Sequence, residues 1–338
     1  MLNWRAEDLW LASRELVSDL SIELLATTGS TNADALARLR AGDTRPCLIV
    51  AESQSAGRGR LGRAWWSAPG ASLTFSLALG LAPRDWGGLS LAVGLALVDA
   101  LDPLVDGLTP LVDGLKRSVD GLVPLAEADA AETTTAAASS GAMSPQGRIG
   151  VKWPNDLWLR DGERKLAGIL IETAALPAGS MVDSPWPDPG VDSADGQSRR
   201  RHVVIGVGIN MAAKAPVVSQ AVSSAAAPGA APTATSDVPL FGSGYAGLQE
   251  LHASLDAPAA LALVLPALLR TLRQFERDGL APLQARFAQR DLLRGREVSA
   301  GELRGRVMGV DVDGGLLLDT GSAGVQRVMS GEVSVRPC

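Results

Sequence analysis

The pattern of apolar residues changes near Gly295, and this change predicts two parts of different architecture. Before it, short apolar runs typical of strands alternate with helical segments, which indicates an α+β fold. After it, short alternating segments flank the turn Asp313–Gly315, as in small antiparallel β-domains. We expect a main domain over 29–292, preceded by a short N-terminal extension over 1–28 and followed by a small β-domain over 293–338.

The same patterns place the individual elements. Ser30 or Thr31 is expected to cap a helix over Asn32 to Leu39, because a hydroxyl oxygen accepts the free N–H groups of a first helical turn. A helix over Trp86 to Leu101 is apolar nearly all round and should be buried, and another over Pro258 to Asp278 stops before a glycine. The predicted strands of the main domain are Cys47 to Ala51, Ser72 to Leu79, Ile149 to Trp153, Leu157 to Leu159, Leu166 to Thr173 and His202 to Gly208.

Three low-complexity stretches interrupt these elements, at 102–148, 175–200 and 212–239. The first contains VDGL units seven residues apart, a spacing that suggests a coiled coil. Each unit, however, carries a glycine that would cost about 1 kcal/mol inside a helix. Together the stretches are rich in Pro, Ala, Ser and Gly, so we predict flexible surface insertions.

The composition excludes several classes of function. A formal net charge of -6 over 338 residues argues against broad affinity for nucleic acid or anionic membranes, so any anion site must be local. Cys47 and Cys338 form neither a disulfide framework nor a metal-ligand spacing. No apolar run approaches the roughly 20 residues of a membrane span, and the first residues lack a signal-peptide pattern. We therefore expect a cytosolic, cytoplasmic protein.

A loop of alternating glycine and arginine, GRGRLGR, precedes the pair Trp65-Trp66. Glycines leave room for backbone N–H groups, and guanidinium groups can bind one small anion together with them. A phosphate or a carboxylate suits such a loop, with Arg58, Gly59 and Arg60 as candidate ligands. From the pattern alone, a solvated basic loop is the alternative.

A second polar cluster, KWPND over 152–156, lies where a predicted strand enters a proline turn. Binding residues often collect at strand ends, yet Lys152 and Asp156 could simply form a surface ion pair worth under about 1 kcal/mol. In KLAGIL, Lys165 begins an apolar strand and brings a charge to one sheet edge. A charged strand end without function is the alternative for Lys165.

Other chemistries find little support in the sequence. GVGIN over 206–210 lacks the third glycine and the following helix of a dinucleotide loop, so close backbone packing explains its glycines better. His202 and His252 are the only histidines, and no acid–His–nucleophile arrangement of a serine hydrolase is apparent. Cys/His metal clusters and a P-loop motif are also missing from the sequence.

Five motifs together resemble the biotin protein ligase family: Gly29 to Asn32, GRGRLGR, KWPND, KLAGIL and GVGIN. Each is weak by itself, whereas all five in the family's order are specific. The resemblance runs from about residue 25 to the C-terminus, apart from the three insertions. It implies an α+β fold with a mixed sheet and helices on one side, similar to class II synthetases, followed by a C-terminal SH3-like β-barrel.

The resemblance also implies roles for the matching residues. The residues expected to bind biotin or biotinyl-5'-AMP are Ser30, Thr31, Asn32, Gln54, Arg58, Gly59, Arg60, Trp65, Lys152, Asn155, Lys165 and Asn210. The first four are expected at the biotin head group, and the next three at the carboxylate and phosphates. Lys165, Arg60 and Asp156 are the expected catalytic residues. In the small domain, Glu332 and Arg336 are expected near the nucleotide.

The implied activity is a two-step ligase reaction. Biotin and ATP form biotinyl-5'-AMP while Mg²⁺ and the cations at Arg58, Arg60 and Lys165 stabilise the charge on the phosphates. Biotin then passes to a lysine of a biotin carboxyl carrier protein, which Asp156 would orient or deprotonate. Two alternatives stay open: a lipoate or octanoate ligase or transferase of the same fold, and a non-enzymatic biotin-responsive regulator.

The expected partner is the biotin carboxyl carrier of acetyl-CoA carboxylase or of another biotin-dependent carboxylase, and a homodimer is compatible with the resemblance. Family members that repress the biotin operon carry an N-terminal winged-helix domain. Here only about 29 residues precede Ser30, and they are acidic and lack a basic recognition helix. We therefore expect no DNA binding.

Overall fold

The computed structural model describes residues 2–17, 19–102, 147–174, 182–187, 200–212, 244–329 and 335–337. In these residues a seven-stranded sheet has the order β1-β2-β3-β7-β6-β5-β4. β1 and β2 are parallel and the other neighbours are antiparallel, so the predicted mixed sheet is confirmed. The strands are β1 (Ser21–Thr28), β2 (Cys47–Gln54), β3 (Ser72–Leu81), β4 (Ile149–Lys152), β5 (Asp156–Leu159), β6 (Arg164–Thr173) and β7 (Arg201–Asn210).

Helices cover both faces of this sheet, and not one side as the resemblance implied, although they cover the two faces unequally. α3 and α4 pack on one face over a large leucine-rich core, whereas α2 packs on part of the other face, with Leu36 and Leu39 near Ile49 and Val204. Neighbouring residues of a strand point to opposite faces. On the second face, beyond the apolar contacts of α2, the strands carry glycines and polar residues such as Thr74 and Ser76. The helices are α1 (Ala6–Arg14), α2 (Thr31–Arg40), α3 (Leu89–Leu101), α4 (Ala257–Asp278) and α5 (Gln284–Arg290).

The amino end of α2 differs from the prediction. Ser30 occupies the N-cap position with extended backbone, but no side-chain hydroxyl caps the helix. The N–H of Thr31 donates instead to Oε1 of Gln54 at 2.8 Å. A side chain from β2 thus satisfies the first turn of the helix and ties α2 to the sheet.

The predicted helices and strands of the main domain are confirmed, with small differences at their ends. α3 begins at Leu89 rather than Trp86, because Gly88 has a φ of +76°, which a right-handed helix does not contain. α4 ends before Gly279, whose φ of +69° fits the predicted glycine stop. The sequence patterns did not predict β1, α1 or α5. Among the described helices, none is long and apolar enough to cross a membrane.

The C-terminal part forms a second, antiparallel sheet in the order β11-β10-β9-β8-β12, as predicted for the small domain. It docks on the main domain through the Asp313–Gly315 turn, where Gly314 accepts a 3.0 Å hydrogen bond from the Trp153 indole. This contact fixes the KWPND turn. The residue boundaries of the domains stay predictions. The strands are β8 (Glu297–Ala300), β9 (Leu303–Val310), β10 (Leu316–Asp319), β11 (Val325–Val328) and β12 (Val335–Pro337).

The predicted insertions lie largely outside the described residues, but the ends of the first are firmly held. Asp102 is fully buried. Its carboxylate accepts the N–H groups of Arg148 and Ile149, each at 3.1 Å, and pairs with Arg290 at 2.5 Å. The chain therefore leaves and re-enters the fold at one point, on either side of residues 103–146.

The second predicted insertion contains a packed residue, which differs from the expectation of a flexible loop over 175–200. Trp186 is only 6% exposed, and its indole N–H donates to the carboxylate of Glu276 on α4. Arg200 binds the other oxygen of that carboxylate at 2.8 Å. Aromatic burial and a buried charge pair thus anchor part of this stretch to α4, which Pro/Ser/Gly composition could not indicate.

Replacing residues 104–146 with a short flexible linker should leave the fold intact, because Asp102 already joins the two ends and loop closure depends weakly on length. Calorimetry should show an unfolding midpoint close to that of the full chain. In the same background, Asp102→Ala should lose about 3–5 kcal/mol, because it removes one member of a buried ion pair. A linker variant that fails to fold would show that the replaced segment supports the core.

Stability should also depend on pH through His202 of β7, which is 1% exposed and has no hydrogen-bond partner for either ring nitrogen among the described residues. Burial lowers the pKa of this imidazole, and the charge of Asp183 partly opposes the effect. The unfolded chain binds this proton near pH 6.5 while the folded chain resists it. The free energy of unfolding should therefore fall as the pH drops below about 6.5.

Urea unfolding at about pH 7.5 and about pH 5.5 measures this effect. His202→Leu, which removes the titrating group from the buried position, should reduce the loss of stability between the two pH values. An identical loss in the variant and the original chain would assign the pH dependence to other groups.

Candidate active site

A row of glycines lines the uncovered part of the second sheet face. Gly208 of β7 lies opposite Gly168 of β6, and Gly206 lies opposite Ser76 of β3. A Cβ on Gly208 would lie 2.3 Å from a ring atom of Trp65, and one on Gly206 would lie 2.1 Å from Oδ1 of Asn32. Close packing of side chains on the backbone therefore requires glycine at both positions, as predicted for GVGIN.

The glycine–arginine loop folds back on itself and brings Trp65 to this face. The N–H of Trp65 donates to the Gly57 carbonyl at 2.8 Å, and the N–H of Gly59 donates to the Arg63 carbonyl at 2.7 Å. A Cβ on Gly57 would lie 2.5 Å from the Trp65 carbonyl oxygen, so this tight return needs glycine. Leu61 at the tip has a φ of +57° and is exposed.

Arg60 reaches from this loop to the KWPND turn, where Nη1 donates to Oδ1 of Asn155 at 3.0 Å. The amide of Asn155 is itself oriented, since Nδ2 donates to the Ile169 carbonyl at 2.8 Å. Burial lowers the pKa of Arg60, with Asp156 opposing this change and Arg63 adding to it. The guanidinium nevertheless stays protonated at neutral pH, so it is a partly desolvated cation.

Lys165 and Asp156 form an ion pair beside the same indole. Nζ of Lys165 lies 2.8 Å from Oδ1 of Asp156, and the two side chains are only 14% and 16% exposed. The ammonium also lies 5.8 Å from the centre of a Trp65 ring. A cation, a carboxylate and an aromatic ring therefore meet next to Gly168, where a Cβ would approach all three.

The backbone of Lys165 is held from the side opposite β5. Its N–H donates to Gly244 at 3.2 Å, its carbonyl accepts the N–H of Ala246 at 2.9 Å, and Nδ2 of Asn210 donates to that carbonyl at 3.1 Å. Tyr245 lies between these contacts, and burial, then the charge of Asp156, raises the pKa of its phenol. The sequence analysis missed Tyr245, which belongs to no motif.

The four residues expected at the biotin head group lie together near the start of α2: Ser30, Thr31, Asn32 and Gln54. All four have small or amide side chains, and the first three are buried. Two further residues reach this group, Ser76 of β3 and Glu172 of β6. The sequence analysis missed both, because the contacts depend on which strands lie side by side.

Other predicted site residues lie apart from these groups. The ammonium of Lys152 lies over the Trp158 ring, 4.3 Å from its centre, and Asp156 pairs with Lys165 rather than with Lys152. Arg58 is exposed. Glu332 lies outside the described residues, and the backbone of Arg336 pairs with Ser299 of β8. The position of Lys165 supports its expected contact with the substrate, whereas the positions of Lys152 and Arg58 give less support to theirs.

A cavity of about 330 Å³ lies on the opposite face of the sheet, between the start of α3, the KWPND turn and the small domain. Ser90, Pro154, Ile171, Arg201 and Gly314 are among its lining residues. It includes none of the predicted site residues. The glycine-lined face and this cavity are thus separate surfaces.

Comparison with known proteins identifies the family. The model of the Biotin/lipoate A/B protein ligase family matches residues 27–181, and that of the Biotin protein ligase C terminal domain matches residues 294–336. The Biotin--[acetyl-CoA-carboxylase] ligase of Paracoccus denitrificans is 32% identical over 320 residues, covering 92% of this chain and 98% of that protein. This chain belongs to the biotin protein ligase family.

Two further proteins match this biotin protein ligase over most of its length. The bifunctional ligase/repressor BirA of Escherichia coli (strain K12) is 30% identical over 325 residues, which is 94% of this chain and 74% of that protein. The fold is similar to that of the Aquifex aeolicus biotin protein ligase in complex with biotin and ATP, with a TM-score of 0.58 and 20% identity. This match covers 94% of this chain and 99% of that one. The predicted mixed sheet with helices, the small C-terminal β-domain and the ligase activity are confirmed, and the lipoate alternative is not favoured.

Gly208→Ala should impair substrate binding in this ligase, because the new methyl group forces Trp65 off the face. We expect biotin affinity, measured by isothermal titration calorimetry, to fall about tenfold or more. Gly94→Ala in α3 is the matched control: its Cβ would meet its nearest neighbour at an ordinary 3.4 Å, and it should leave affinity unchanged. Equal affinity of Gly208→Ala and the original protein would separate Trp65 from the substrate site.

Proposed function

We propose that this ligase joins biotin and ATP into biotinyl-5'-AMP on the glycine-lined face and then transfers biotin to a lysine of a biotin carboxyl carrier protein. The observation that carries the proposal is the meeting of Lys165, Asp156 and Arg60 beside Trp65. The names of the relatives, two of them biotin--[acetyl-CoA-carboxylase] ligases, support the same substrate and carrier. The biotin and ATP bound to the Aquifex aeolicus protein support both substrates.

In the first step a carboxylate oxygen of biotin attacks the α-phosphate of ATP, and the bond to pyrophosphate breaks. Negative charge moves onto the leaving group, so cations fixed beforehand lower the barrier. Lys165 is fixed by Asp156 and by its backbone contacts, and an ammonium has three donors with which to meet the oxygens of both substrates. Arg60 is partly desolvated, which strengthens its attraction for an anion.

Mg²⁺ is proposed to arrive on the phosphates of ATP. The described residues contain no group of three or more His, Cys, Asp or Glu that could hold a metal. Mg²⁺ is usually bound through one or two carboxylates together with substrate phosphates. Asp156 is the candidate carboxylate, and the ion would offset the charge of the pyrophosphate.

The mixed anhydride formed in this step hydrolyses readily, so it must be kept from water. Trp65 lies against the glycine face, and hydrogen bonds within the loop from Gly57 hold the loop beside this ring. We assign Trp65, Arg58, Gly59 and Arg60 to a cover over biotinyl-5'-AMP.

In the second step a lysine of the carrier attacks the anhydride. With a pKa near 10.4, only about one such amine in a thousand is neutral at pH 7.4. Asp156 is proposed to orient this amine or accept its proton, since its carboxylate lies next to the Lys165 ammonium. The transfer leaves AMP and an amide-linked biotin.

Several finer points remain proposals. Asn155, Asn210 and Lys152 are assigned to the adenylate by the motifs, as are Glu332 and Arg336. Dimer formation, the lack of DNA binding and a cytoplasmic location rest on the sequence analysis alone.

The activity is tested by ATP–pyrophosphate exchange in the presence of biotin, lipoate or octanoate. Exchange should depend on biotin and be negligible with the other two acids. Exchange with lipoate or octanoate but not with biotin would replace this proposal by the lipoate alternative. Labelling of a purified carrier domain then tests the transfer step.

Lys165→Gln should slow adenylate formation far more than it weakens biotin binding, because the lost contact strengthens as the reacting oxygens approach. The rate should fall at least about 100-fold, which corresponds to about 2.7 kcal/mol. Preformed biotinyl-5'-AMP bypasses this step, so transfer from it should recover in part.

Lys152→Gln is the matched comparison, because it makes the same change where the ammonium lies over Trp158. We expect a smaller loss of adenylate formation than in Lys165→Gln. Normal adenylate formation with reduced stability in Lys165→Gln would instead make Lys165 a structural strand-end charge.

A further inference from the structure

Ser76 of β3 is fully buried beneath the start of α2. Its Oγ lies 2.5 Å from Oδ1 of Asn32 and 2.7 Å from Oγ1 of Thr31. The serine hydroxyl has one proton, and the carbonyl oxygen of Asn32 can only accept. Ser76 therefore donates to Asn32, and the hydroxyl of Thr31 can donate to Ser76.

The other end of the Asn32 amide is held by Glu172 of β6. Nδ2 of Asn32 donates to Oε2 of Glu172 at 2.8 Å and approaches the Leu170 carbonyl at 3.4 Å. A carboxylate only accepts hydrogen bonds, so this contact turns the Asn32 oxygen toward Ser76. Gly206 lies directly beneath that oxygen, where a Cβ would come within 2.1 Å of it, so only glycine lets the amide take this position.

The series of contacts continues from Thr31 to Gln54. Oε1 of Gln54 accepts the Thr31 N–H at 2.8 Å, and this backbone hydrogen bond holds it, because the one hydroxyl proton of Thr31 is directed to Ser76. With its oxygen committed to α2, the Gln54 side chain directs Nε2 toward Gly57, where a Cβ would lie 3.0 Å away. The orientation of the Gln54 donor is thus fixed by the Thr31 backbone at the start of α2, next to the Thr31 and Asn32 side chains that Ser76 and Glu172 hold.

These contacts divide the four head-group candidates into two kinds. The side-chain polar atoms of Thr31 and Asn32 are engaged within the protein, so these two residues hold the site together. Ser30 and the Nε2 group of Gln54 make no side-chain hydrogen bond within the described residues. A hydroxyl and an amide donor suit a cyclic urea, which has N–H donors and one carbonyl acceptor.

We propose that Ser76 and Glu172 are positioning residues for the biotin head group, acting through the side chains of Asn32 and Thr31. The inference rests on the proposed function and deepens it. Loss of Ser76 leaves the Asn32 oxygen without its hydroxyl donor, and loss of Glu172 leaves Nδ2 with only the 3.4 Å contact to the Leu170 carbonyl, so the amide then turns or moves. Biotin recognition suffers, whereas the Lys165–Asp156 pair at the other end of the glycine row is untouched.

The test is biotin-dependent ATP–pyrophosphate exchange by Ser76→Ala, Glu172→Ala and Glu172→Gln. For both alanine variants, KM for biotin should rise about tenfold or more, with kcat and KM for ATP within about twofold of the original protein. Glu172→Gln keeps an acceptor for Asn32 and should recover most of the loss. Transfer from preformed biotinyl-5'-AMP tests whether the chemistry itself is intact.

Thr74→Val is the matched control for the loss of a buried hydroxyl. Thr74 lies two residues before Ser76 on β3, is 1% exposed, and donates to the Ala51 carbonyl at 2.7 Å. It should lose stability as Ser76→Ala does, but keep its KM for biotin. A rise in KM for biotin as large as that of Ser76→Ala would reduce the effect to general loosening and overturn the inference.

Two other outcomes would also overturn it. One is an unchanged KM for biotin in Ser76→Ala and Glu172→Ala. The other is a fall in kcat and a rise in KM for ATP as large as the rise in KM for biotin. If Ser76→Ala fails to fold, the two Glu172 variants decide, because Glu172 is partly exposed and tolerates substitution better. Failure of the original protein to catalyse biotin-dependent exchange would contradict the proposed function, which separates that failure from failure of the positioning role.

Discussion

The active-site arrangement depends on the close approach of side chains to the backbone of β6 and β7. Three glycines make this approach possible, at positions 168, 206 and 208. With any larger residue there, the Trp65 ring and the Asn32 amide would be displaced by steric overlap. The same row thus serves two ends of one site, a polar group under α2 and a charged group beside Lys165. The proposed substrate has a polar head, an apolar chain and an acidic end, which would correspond to these two groups.

At the charged end of the glycine row, Asp156 holds Lys165 in place and Asn155 holds Arg60. Asp156 keeps the Lys165 ammonium in place without burying an unpaired charge, which would be costly. Arg60 donates to the neutral amide of Asn155, and the charge of Asp156 also acts on it. Two cations thus lie in one local site of a protein with negative overall charge, so the proposed binding of phosphates needs no broad basic surface.

Much of the fold could be predicted from the sequence, because periodicity and glycine stops are local properties. α4 and the strands around KWPND and GVGIN follow from such patterns, whereas β1 is half exposed and shows no alternation. In the candidate site, the order of the five motifs predicted that Lys165 and Arg60 are functional residues. The pairing of Asp156 with Lys165 rather than Lys152 depends on a register shift between Leu157 and Trp158, which no local pattern reveals.

Contacts between distant segments were the hardest to foresee. Ser76 and Glu172 contact Asn32 from two strands that are far from it in the sequence. Each is a polar residue in a mostly apolar strand, and no motif marks it. The contact of Trp186 was equally hard to predict, because its indole N–H donates to Glu276 of α4, a residue distant in the sequence. Composition describes a segment by itself, while burial depends on the surface that it meets.

A crystal structure with a non-hydrolysable analogue of biotinyl-5'-AMP would test the account most directly. The account predicts the analogue on the glycine-lined face, with Nζ of Lys165 about 3 Å from the oxygens at the acyl-phosphate link and Trp65 over the chain. The urea ring should lie at Ser30 and Gln54. An analogue bound instead in the cavity beside Ser90 and Arg201, with the glycine-lined face unchanged, would contradict it.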